Sequence, residues 1–548
     1  MSSSELSAYL HDLQPSEEFV ALFHRYGLIY RWYAVSAVIA GNVAAVLAST
    51  IINVAIPSIM GAFGIGQDQA QWLATSNLAA ATVGMLCGHW CVQTLGLRGT
   101  VAAGMLLFLA GSILGGVSTN LEVMIFARVL QGIPAGLLAP LSMTIIFQVF
   151  PPGRQGMAMG VSAMGIVLAP AVGPTLGGVA VDLFSWRYVF FFGVPFSAFA
   201  LLLTAVFLPK PGAVRPLPFD WVGLVLLTVT ITALLLALGS GEREGWNSDY
   251  IFGLWCTCLV STALFIYWEL HQVHPLLELS LFRQRQFIMV SIVSFLFGGG
   301  LYASTYLVPL FLQLVQNLTP TQSGALLMPA GFVMVAIFPL SGRLSDSLDT
   351  RLLLSIGAGF FVASFWLMGG ADVGTSFVTF VFWVILSRIG IGLVMPALQM
   401  TALQGVPVAM LTAASGAFSF MRQLGGAFGV NLSSVVLDRR TSFHFQALAE
   451  SQSYDNLSAM QALETFNEMS QREGFAEIEG MNMAIQSLQR MVESEALTMG
   501  FRDSFMVLAG VFVLSVLPVV FLRSRAYFLA KEEAAANARD NAAATGSA

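Results

Sequence analysis

The chain has 548 residues, of which 56% are hydrophobic and only 10% are charged, and its formal net charge is −6. Soluble domains carry about 25% charged residues, so this composition excludes a soluble globular protein and predicts an α-helical protein that crosses the membrane many times. The four cysteines all lie in apolar runs, so they indicate neither a disulfide framework nor a metal site. We find no phosphate-binding loop, catalytic carboxylate pair or nucleophile elbow, and we expect no enzyme activity, cofactor or nucleic-acid partner.

The first segment, residues 1–32, is predicted to be a cytosolic, amphipathic N-terminus. Ser16 can cap a short helix that places Phe19, Leu22, Phe23 and Tyr26 on one face. Such a helix would lie on the inner leaflet of the membrane. A disordered tail is the alternative.

Apolar runs of membrane-spanning length fill most of the remaining chain. A spanning helix needs about 20 apolar residues, and by that rule we count about fourteen spans. They cover residues 33–60, 70–92, 100–118, 121–146, 156–181, 187–208, 221–240, 251–270, 286–315, 323–342, 352–371, 374–400, 411–437 and 502–523. Basic residues concentrate in the loops that face the cytosol when the N-terminus is inside, which predicts that both termini are cytosolic.

The spans and the polar stretches between them predict a domain organisation. One long hydrophilic insertion separates the last two spans, and apolar residues at helical spacing predict two amphipathic helices there, broken around Gly474 and Gly480. This insertion is either a lid or a docking surface for another protein. After the N-terminus, the predicted segments are a six-helix bundle at 33–208, a linker with two inserted helices at 209–285, five helices of a second bundle at 286–437, a periplasmic insertion at 438–501, the last span at 502–523 and a cytosolic tail at 524–548.

Two neighbouring spans contain the most informative residues. Arg128 lies inside the fourth span, where a charge is costly and marks a candidate functional site. The fifth span holds glycines at spacings that let helices approach closely, together with prolines that bend or loosen the helix. These residues are Pro170, Gly173, Pro174, Gly177 and Gly178. A tightly packed, kinked helix pair is the plainer interpretation.

The order of these residues resembles a known family. The stretch Arg128-Val129-Leu130-Gln131-Gly132 resembles the fourth-helix motif of major facilitator superfamily transporters, and residues 169–178 resemble the fifth-helix antiporter motif of its exporters. Over nearly its whole length the chain is similar to the fourteen-helix drug:proton antiporter family (EmrB/QacA-like). It is most similar to the EmrB-like inner-membrane pumps of tripartite efflux systems.

That resemblance implies a fold, an activity and partners. The fold would be all-α, with two six-helix bundles and two inserted helices, in the bacterial inner membrane. The activity would be secondary active export of small amphiphilic or toxic compounds by alternating access. The partners would be a small-molecule substrate, the lipid bilayer, a periplasmic adaptor and an outer-membrane channel. A non-transporting membrane sensor or scaffold with the same fold is the alternative.

A charged turn after the tenth span resembles the superfamily's cytosolic gating motif. Its candidate gate residues are Gly342, Asp346 and Arg351. An acid near a helix N-terminus would favour one closed arrangement of the bundles through charge and dipole. The matching turn in the first half, residues 88–98, lacks the acid, so a latch there must be weaker or built differently. A charged turn that simply obeys the positive-inside rule is the alternative.

Candidate substrate and coupling residues lie deep in the spans. They are Arg128, Gln131, Arg388 and Arg422, with the polar first-span residues Asn42, Ser49, Thr50 and Asn53. Because no acid lies as deep as the three arginines, we expect an electropositive cavity and substrates that are anionic or neutral. Alternatively, Arg128 is bonded to backbone carbonyls of a neighbouring helix.

The sequence does not identify the coupling ion, because the first span differs from the resembling family at one position. Ala48 stands where the resembling family has an aspartate, and residues 33–60 contain no titratable side chain. Either a carboxylate at the end of a span carries a proton, or the membrane potential drives a charged substrate outward. The acids at span ends are Asp68, Glu122, Asp182, Asp220 and Glu269.

Overall fold

The computed structural model describes residues 17–70, 72–151, 153–210, 217–452, 457–472 and 477–522. Regular structure in these residues is entirely helical, as the composition predicts. Ser16, the predicted cap of the first helix, and the predicted tail at 524–548 lie outside the described residues.

Fifteen helices, numbered here α1 to α15, make up the described chain, with a single helical turn at Gln67–Ala70 and four short 3₁₀ segments between them. The first half contains α1 (Glu17–Tyr26), α2 (Tyr30–Phe63), α3 (Trp72–Gly116), α4 (Leu121–Val149), α5 (Gln155–Leu183) and α6 (Gly193–Phe207). The inserted pair is α7 (Trp221–Glu244) and α8 (Asp249–His271). The second half contains α9 (Arg285–Leu314), α10 (Pro320–Ser347), α11 (Thr350–Met368), α12 (Phe377–Leu403), α13 (Leu411–Ser451), α14 (Leu457–Arg472) and α15 (Glu477–Val520).

One of these helices, α3, is two spans joined at a bend. Gly96 has φ +70°, a left-handed conformation that glycine adopts without steric cost, and it lies between the predicted spans 70–92 and 100–118. Counting α3 once, eleven helices of the described chain are long and apolar enough to cross a membrane. The protein is therefore all-α and polytopic, while the count of fourteen spans stays a prediction.

The N-terminal helix α1 buries its apolar face against the protein. Phe19 and Phe23 are buried, and the Phe23 ring meets Tyr30 of α2 edge-on at 4.9 Å between centroids. Tyr26 packs in the same way on Phe207 at the end of α6. Part of the face that the sequence predicts to lie on lipid is thus occupied by α2 and α6.

Glycines allow the helices within each bundle to pack backbone to backbone. A Cβ added at Gly136 of α4 would lie 1.9 Å from the Ala81 carbonyl oxygen of α3, and one at Gly425 of α13 would lie 1.9 Å from the Phe295 carbonyl oxygen of α9. Any larger residue at these positions would push the helices apart. Aromatic rings fill the second bundle, where Phe361 and Phe512 stack at 3.7 Å.

The inserted helices α7 and α8 lie at the seam between the bundles. The Thr230 hydroxyl of α7 donates a hydrogen bond to Ser261 of α8 at 2.8 Å. Residues of α3, α7 and α13 line one small gap of about 10 Å³, including Thr82, Leu234 and Gln423. The inserted pair thus contacts both bundles.

The insertion predicted at 438–501 is helical but is continuous with its neighbours. α13 runs on to Ser451, and α15 runs unbroken from Glu477 into the last span. Gly480 is therefore not a break, because it lies within α15, while Gly474 falls outside the described residues. Asp503 of α15 accepts hydrogen bonds from Arg440 and His444 of α13, which ties the two extensions together.

Candidate functional site

Arg128 is the most deeply buried charged side chain of the described residues, at 1% exposure. Its Nε donates a hydrogen bond to the Leu73 carbonyl oxygen at 2.9 Å, and its NH1 donates to the Ala48 carbonyl oxygen at 3.4 Å and to Gln131 Oε1 at 2.8 Å. Gln131 in turn donates to the Ser112 hydroxyl at 3.0 Å. The guanidinium therefore joins α2, α3 and α4 without a carboxylate partner.

These contacts favour the carbonyl-bonded interpretation of Arg128. The residue that stands in place of the family's aspartate, Ala48, supplies its main-chain oxygen to the arginine. A buried charge is stabilised when several acceptors surround it, and charge-assisted hydrogen bonds contribute about 1.5–3 kcal/mol each. The sequence offers carbonyl bonding as one alternative for this arginine but does not identify Leu73 and Ala48, because any residue type can supply a carbonyl.

The polar candidates of the first span make mostly local contacts. Asn42 donates a hydrogen bond to the Leu138 carbonyl oxygen at 3.3 Å, which links α2 to α4. Ser49 and Thr50 both donate to the Val46 carbonyl oxygen within α2. The side chain of Asn53 lies outside those that the structure describes.

The other two deep arginines belong to the second bundle. Arg388 of α12 is 8% exposed, and its NH1 donates to the Ser304 hydroxyl of α9 at 3.3 Å. Arg422 of α13 has a buried Nε with no hydrogen-bond partner among the described residues. Each bundle thus holds a bonded arginine, and Arg422 keeps a free donor.

The antiporter motif packs α5 against α2. A Cβ at Gly173 would lie 2.4 Å from Thr50 Oγ1, and one at Gly177 would lie 3.0 Å from Ile51 Cγ2. Gly178 has nothing within 4 Å of such a Cβ. The side chains of Pro170 and Pro174 lie outside those that the structure describes.

Asp346 of the predicted gate joins the two bundles. It lies near the end of α10, and its carboxylate accepts the Gly156 N–H at 2.8 Å and the Met157 N–H at 2.9 Å, both in the first turn of α5. The residue that precedes α5, Arg154, makes no side-chain cap. The α5 N-terminus therefore receives its capping carboxylate from the other bundle.

Glycine makes this junction close. A Cβ at Gly156 would lie 2.4 Å from the Gly342 carbonyl oxygen, and one at Gly342 would lie 2.1 Å from the Gly156 carbonyl oxygen. For Arg351, the third predicted gate residue, the main-chain N–H donates to Asp349 Oδ1, and the Nε has no hydrogen-bond partner among the described residues.

The opposite junction between the bundles uses neutral groups. Thr144 Oγ1 of α4 lies 3.2 Å from Ser415 Oγ of α13, and a Cβ at Gly416 would lie 2.5 Å from the Met85 carbonyl oxygen. The sequence does not single out the hydroxyl pair of Thr144 and Ser415, since isolated threonine and serine residues are common within membrane spans.

Comparisons with known proteins agree with this architecture. Residues 38–430 match the Major Facilitator Superfamily. The chain is 30% identical to the multidrug export protein EmrB of Escherichia coli K12 over 479 residues, covering 85% of this chain and 90% of that protein. It is 32% identical to the fatty acid resistance protein FarB of Neisseria gonorrhoeae, covering 74% and 80%.

A solved structure shares the fold. The proton:xylose symporter XylE has a TM-score of 0.58 at 13% sequence identity and covers 91% of this chain and 97% of its own. The chain is therefore a multi-pass inner-membrane transporter and not an enzyme. It belongs to the major facilitator superfamily and, within it, to the EmrB-like drug:proton antiporter family.

Proposed function

We propose that this protein is a secondary active exporter of small amphiphilic or toxic compounds, which works by alternating access between its two bundles. The observation that carries the proposal is the bond between Asp346 of α10 and the first turn of α5. Two charge-assisted hydrogen bonds and a favourable helix dipole contribute a few kcal/mol, about 1.5–3 per bond. That is enough to hold the predicted cytosolic ends together and small enough to be broken in each cycle.

The substrate class follows from the deep arginines and from the relatives. Arg128 and Arg388 are already bonded, so they serve mainly to position helices. Arg422, with its buried and unpartnered Nε, is the candidate contact for an anionic substrate group. The names of the relatives, a multidrug exporter and a fatty acid resistance protein, support an amphiphilic substrate that is anionic or neutral.

The driving force is proposed to be the membrane potential. The first span has no titratable side chain, and Arg128 needs no carboxylate because carbonyl oxygens surround it. Moving one charge through 100 mV yields about 2.3 kcal/mol, and outward movement of an anion is downhill in an inside-negative cell.

A periplasmic adaptor and an outer-membrane channel are proposed as partners, with both termini in the cytosol. The support is the helical extension of α13, α14 and α15 beyond the last two spans, which presents exposed Met469 and Met491. The alternative is that the same extension acts as a lid.

Removal of residues 453–476, followed by crosslinking to the adaptor, distinguishes docking from the lid. Docking predicts that the crosslinks are lost while the abundance of the protein in the membrane stays normal.

Transport by inverted membrane vesicles tests the proposal. Vesicles with the wild-type protein should accumulate a fluorescent anionic amphiphile, and collapse of the potential should slow that uptake. Asp346→Asn should reduce uptake at least several-fold. Asp349→Asn is the matched control, because Asp349 caps its own helix, α11, and asparagine can do the same. Uptake no greater than in vesicles without the protein would favour the sensor or scaffold alternative.

A further inference from the structure

Two buried carboxylates meet at one end of the inserted helices. Asp220 caps the start of α7 and is 9% exposed, while Glu269 lies two residues before the end of α8 and is 3% exposed. Within the described part of the chain no other Asp or Glu is as buried as these two. By the positive-inside pattern, this end of the pair faces the cytosol.

One oxygen of each carboxylate accepts hydrogen bonds from the surrounding helices and loop. Asp220 Oδ1 accepts the Gly223 N–H at 2.8 Å and the Trp268 indole N–H at 2.8 Å. Glu269 Oε2 accepts the Leu277 N–H at 3.3 Å. These donors fix both side chains in place.

The remaining oxygen of each carboxylate has no hydrogen-bond donor in the described structure, and both oxygens lie beside Gly223. Asp220 Oδ2 and Glu269 Oε1 are buried without a hydrogen-bond partner in the described structure. A Cβ added at Gly223 would lie 2.3 Å from Asp220 Oδ2 and 2.8 Å from Glu269 Oε1, so the two oxygens are at most 2.3 + 2.8 = 5.1 Å apart. Glycine at this position leaves the space in which they meet.

We propose that Asp220 and Glu269 form a proton-binding site in which one proton is shared between Glu269 Oε1 and Asp220 Oδ2. Two like charges this close in a buried site cannot both remain ionised at neutral pH, so one carboxyl keeps its proton. The shared proton also gives each of these two buried oxygens the hydrogen-bond partner that it otherwise lacks. The other charged group that acts on Glu269 is Glu278, a third acid, and Glu278 in turn lies near His89.

The site is connected to the first bundle. The Trp90 indole of α3 donates a hydrogen bond to the Leu217 carbonyl oxygen at 3.1 Å, and its ring packs edge-on against Phe219 at 4.6 Å, just before Asp220. Loss of the shared proton would leave two repelling carboxylates beside this contact. We therefore expect the site to sense cytosolic pH at the turn whose gating acid is missing. This consequence rests on the proposed transport function, whereas the proton site does not.

Infrared difference spectroscopy of the purified full-length protein in nanodiscs tests the site directly. At neutral pH the wild type should show the C=O stretching band of a protonated carboxyl, which disappears when the pH is raised. Asp220→Asn and Glu269→Gln should each abolish the band. Asparagine still caps α7 and accepts from Trp268, so the first variant preserves the fold. Glu495→Gln, an exposed carboxylate on α15, is the control and should leave the band unchanged.

The possible outcomes separate the site from the transport proposal. Absence of the band in the wild type at neutral pH, or its persistence in both variants, would overturn the proton site whatever the vesicles do. If the band behaves as expected, dye uptake by wild-type vesicles should fall as the pH outside them, the cytosolic side, is raised. Uptake by Glu269→Gln should lose that dependence, and an unaltered dependence would contradict the sensing role.

Discussion

At the scale of single residues, the role of Arg128 is better explained by its burial and its three hydrogen-bond acceptors than by its charge alone. Its guanidinium reaches three acceptors on or near three helices, and only its planar fork places donors toward all of them. The sequence predicts its position in a span because a lone arginine in an apolar run is conspicuous. It cannot predict the Leu73 and Ala48 carbonyls, since main-chain oxygens carry no sequence signature.

The first prediction concerns the geometry of this arginine. Arg128→Lys keeps the charge but replaces by a single nitrogen the two atoms, Nε and NH1, that donate to Leu73 and Gln131. We expect a loss of about 1.5–3 kcal/mol for a lost charged hydrogen bond and a lower midpoint of thermal unfolding in detergent. The control Arg283→Lys, at an exposed arginine, should leave the midpoint unchanged. Equal midpoints for all three proteins would mean that the carbonyl contacts contribute little.

At the scale of helices, contacts with two different neighbours hold α5 in position. Its first turn is capped by Asp346 of the other bundle, and its later glycines pack on α2. The glycine pattern predicts close packing from sequence alone. The helix that each glycine contacts depends on how the helices are arranged in the bundle. The family resemblance predicts that arrangement, whereas the spacing of the glycines does not.

The second prediction tests the close approach of α5 and α10. A Cβ at Gly160 would lie 2.3 Å from the Phe338 carbonyl oxygen, so Gly160→Ala should hold the bundles apart. In a protein without native cysteines, Thr144→Cys with Ser415→Cys should form a disulfide across the opposite junction. Gly160→Ala should slow its formation.

The matched control for this experiment is Gly359→Ala. Gly359 lies in α11 with nothing within 4 Å of an added Cβ, so the substitution should not affect the crosslink. Identical crosslinking rates for the two alanine variants would contradict the idea that glycine packing sets the distance between the bundles.

At the scale of the whole molecule, two bundles meet through one charged and one neutral junction, with the inserted helices at the seam. Composition and span lengths predict the all-helical, polytopic fold, and the gate motif predicts that Asp346 matters. The continuity of α13 and α15 with the insertion predicted at 438–501 is not predictable, because amphipathic polar helices and apolar spans follow different sequence patterns. The proximity of Asp220 and Glu269 is also not evident from the sequence, since the two residues are 269 − 220 = 49 positions apart in the chain.

The central claim is that Asp346 holds the predicted cytosolic ends of the bundles together. Spin labels at Gln93→Cys of α3 and Ser347→Cys of α10, both exposed, report the distance between those ends by double electron–electron resonance. We predict one short distance for the protein with Asp346 intact, and a second, longer distance in Asp346→Asn that is absent from the Asp349→Asn control. The same distance distribution in all three proteins would contradict the account.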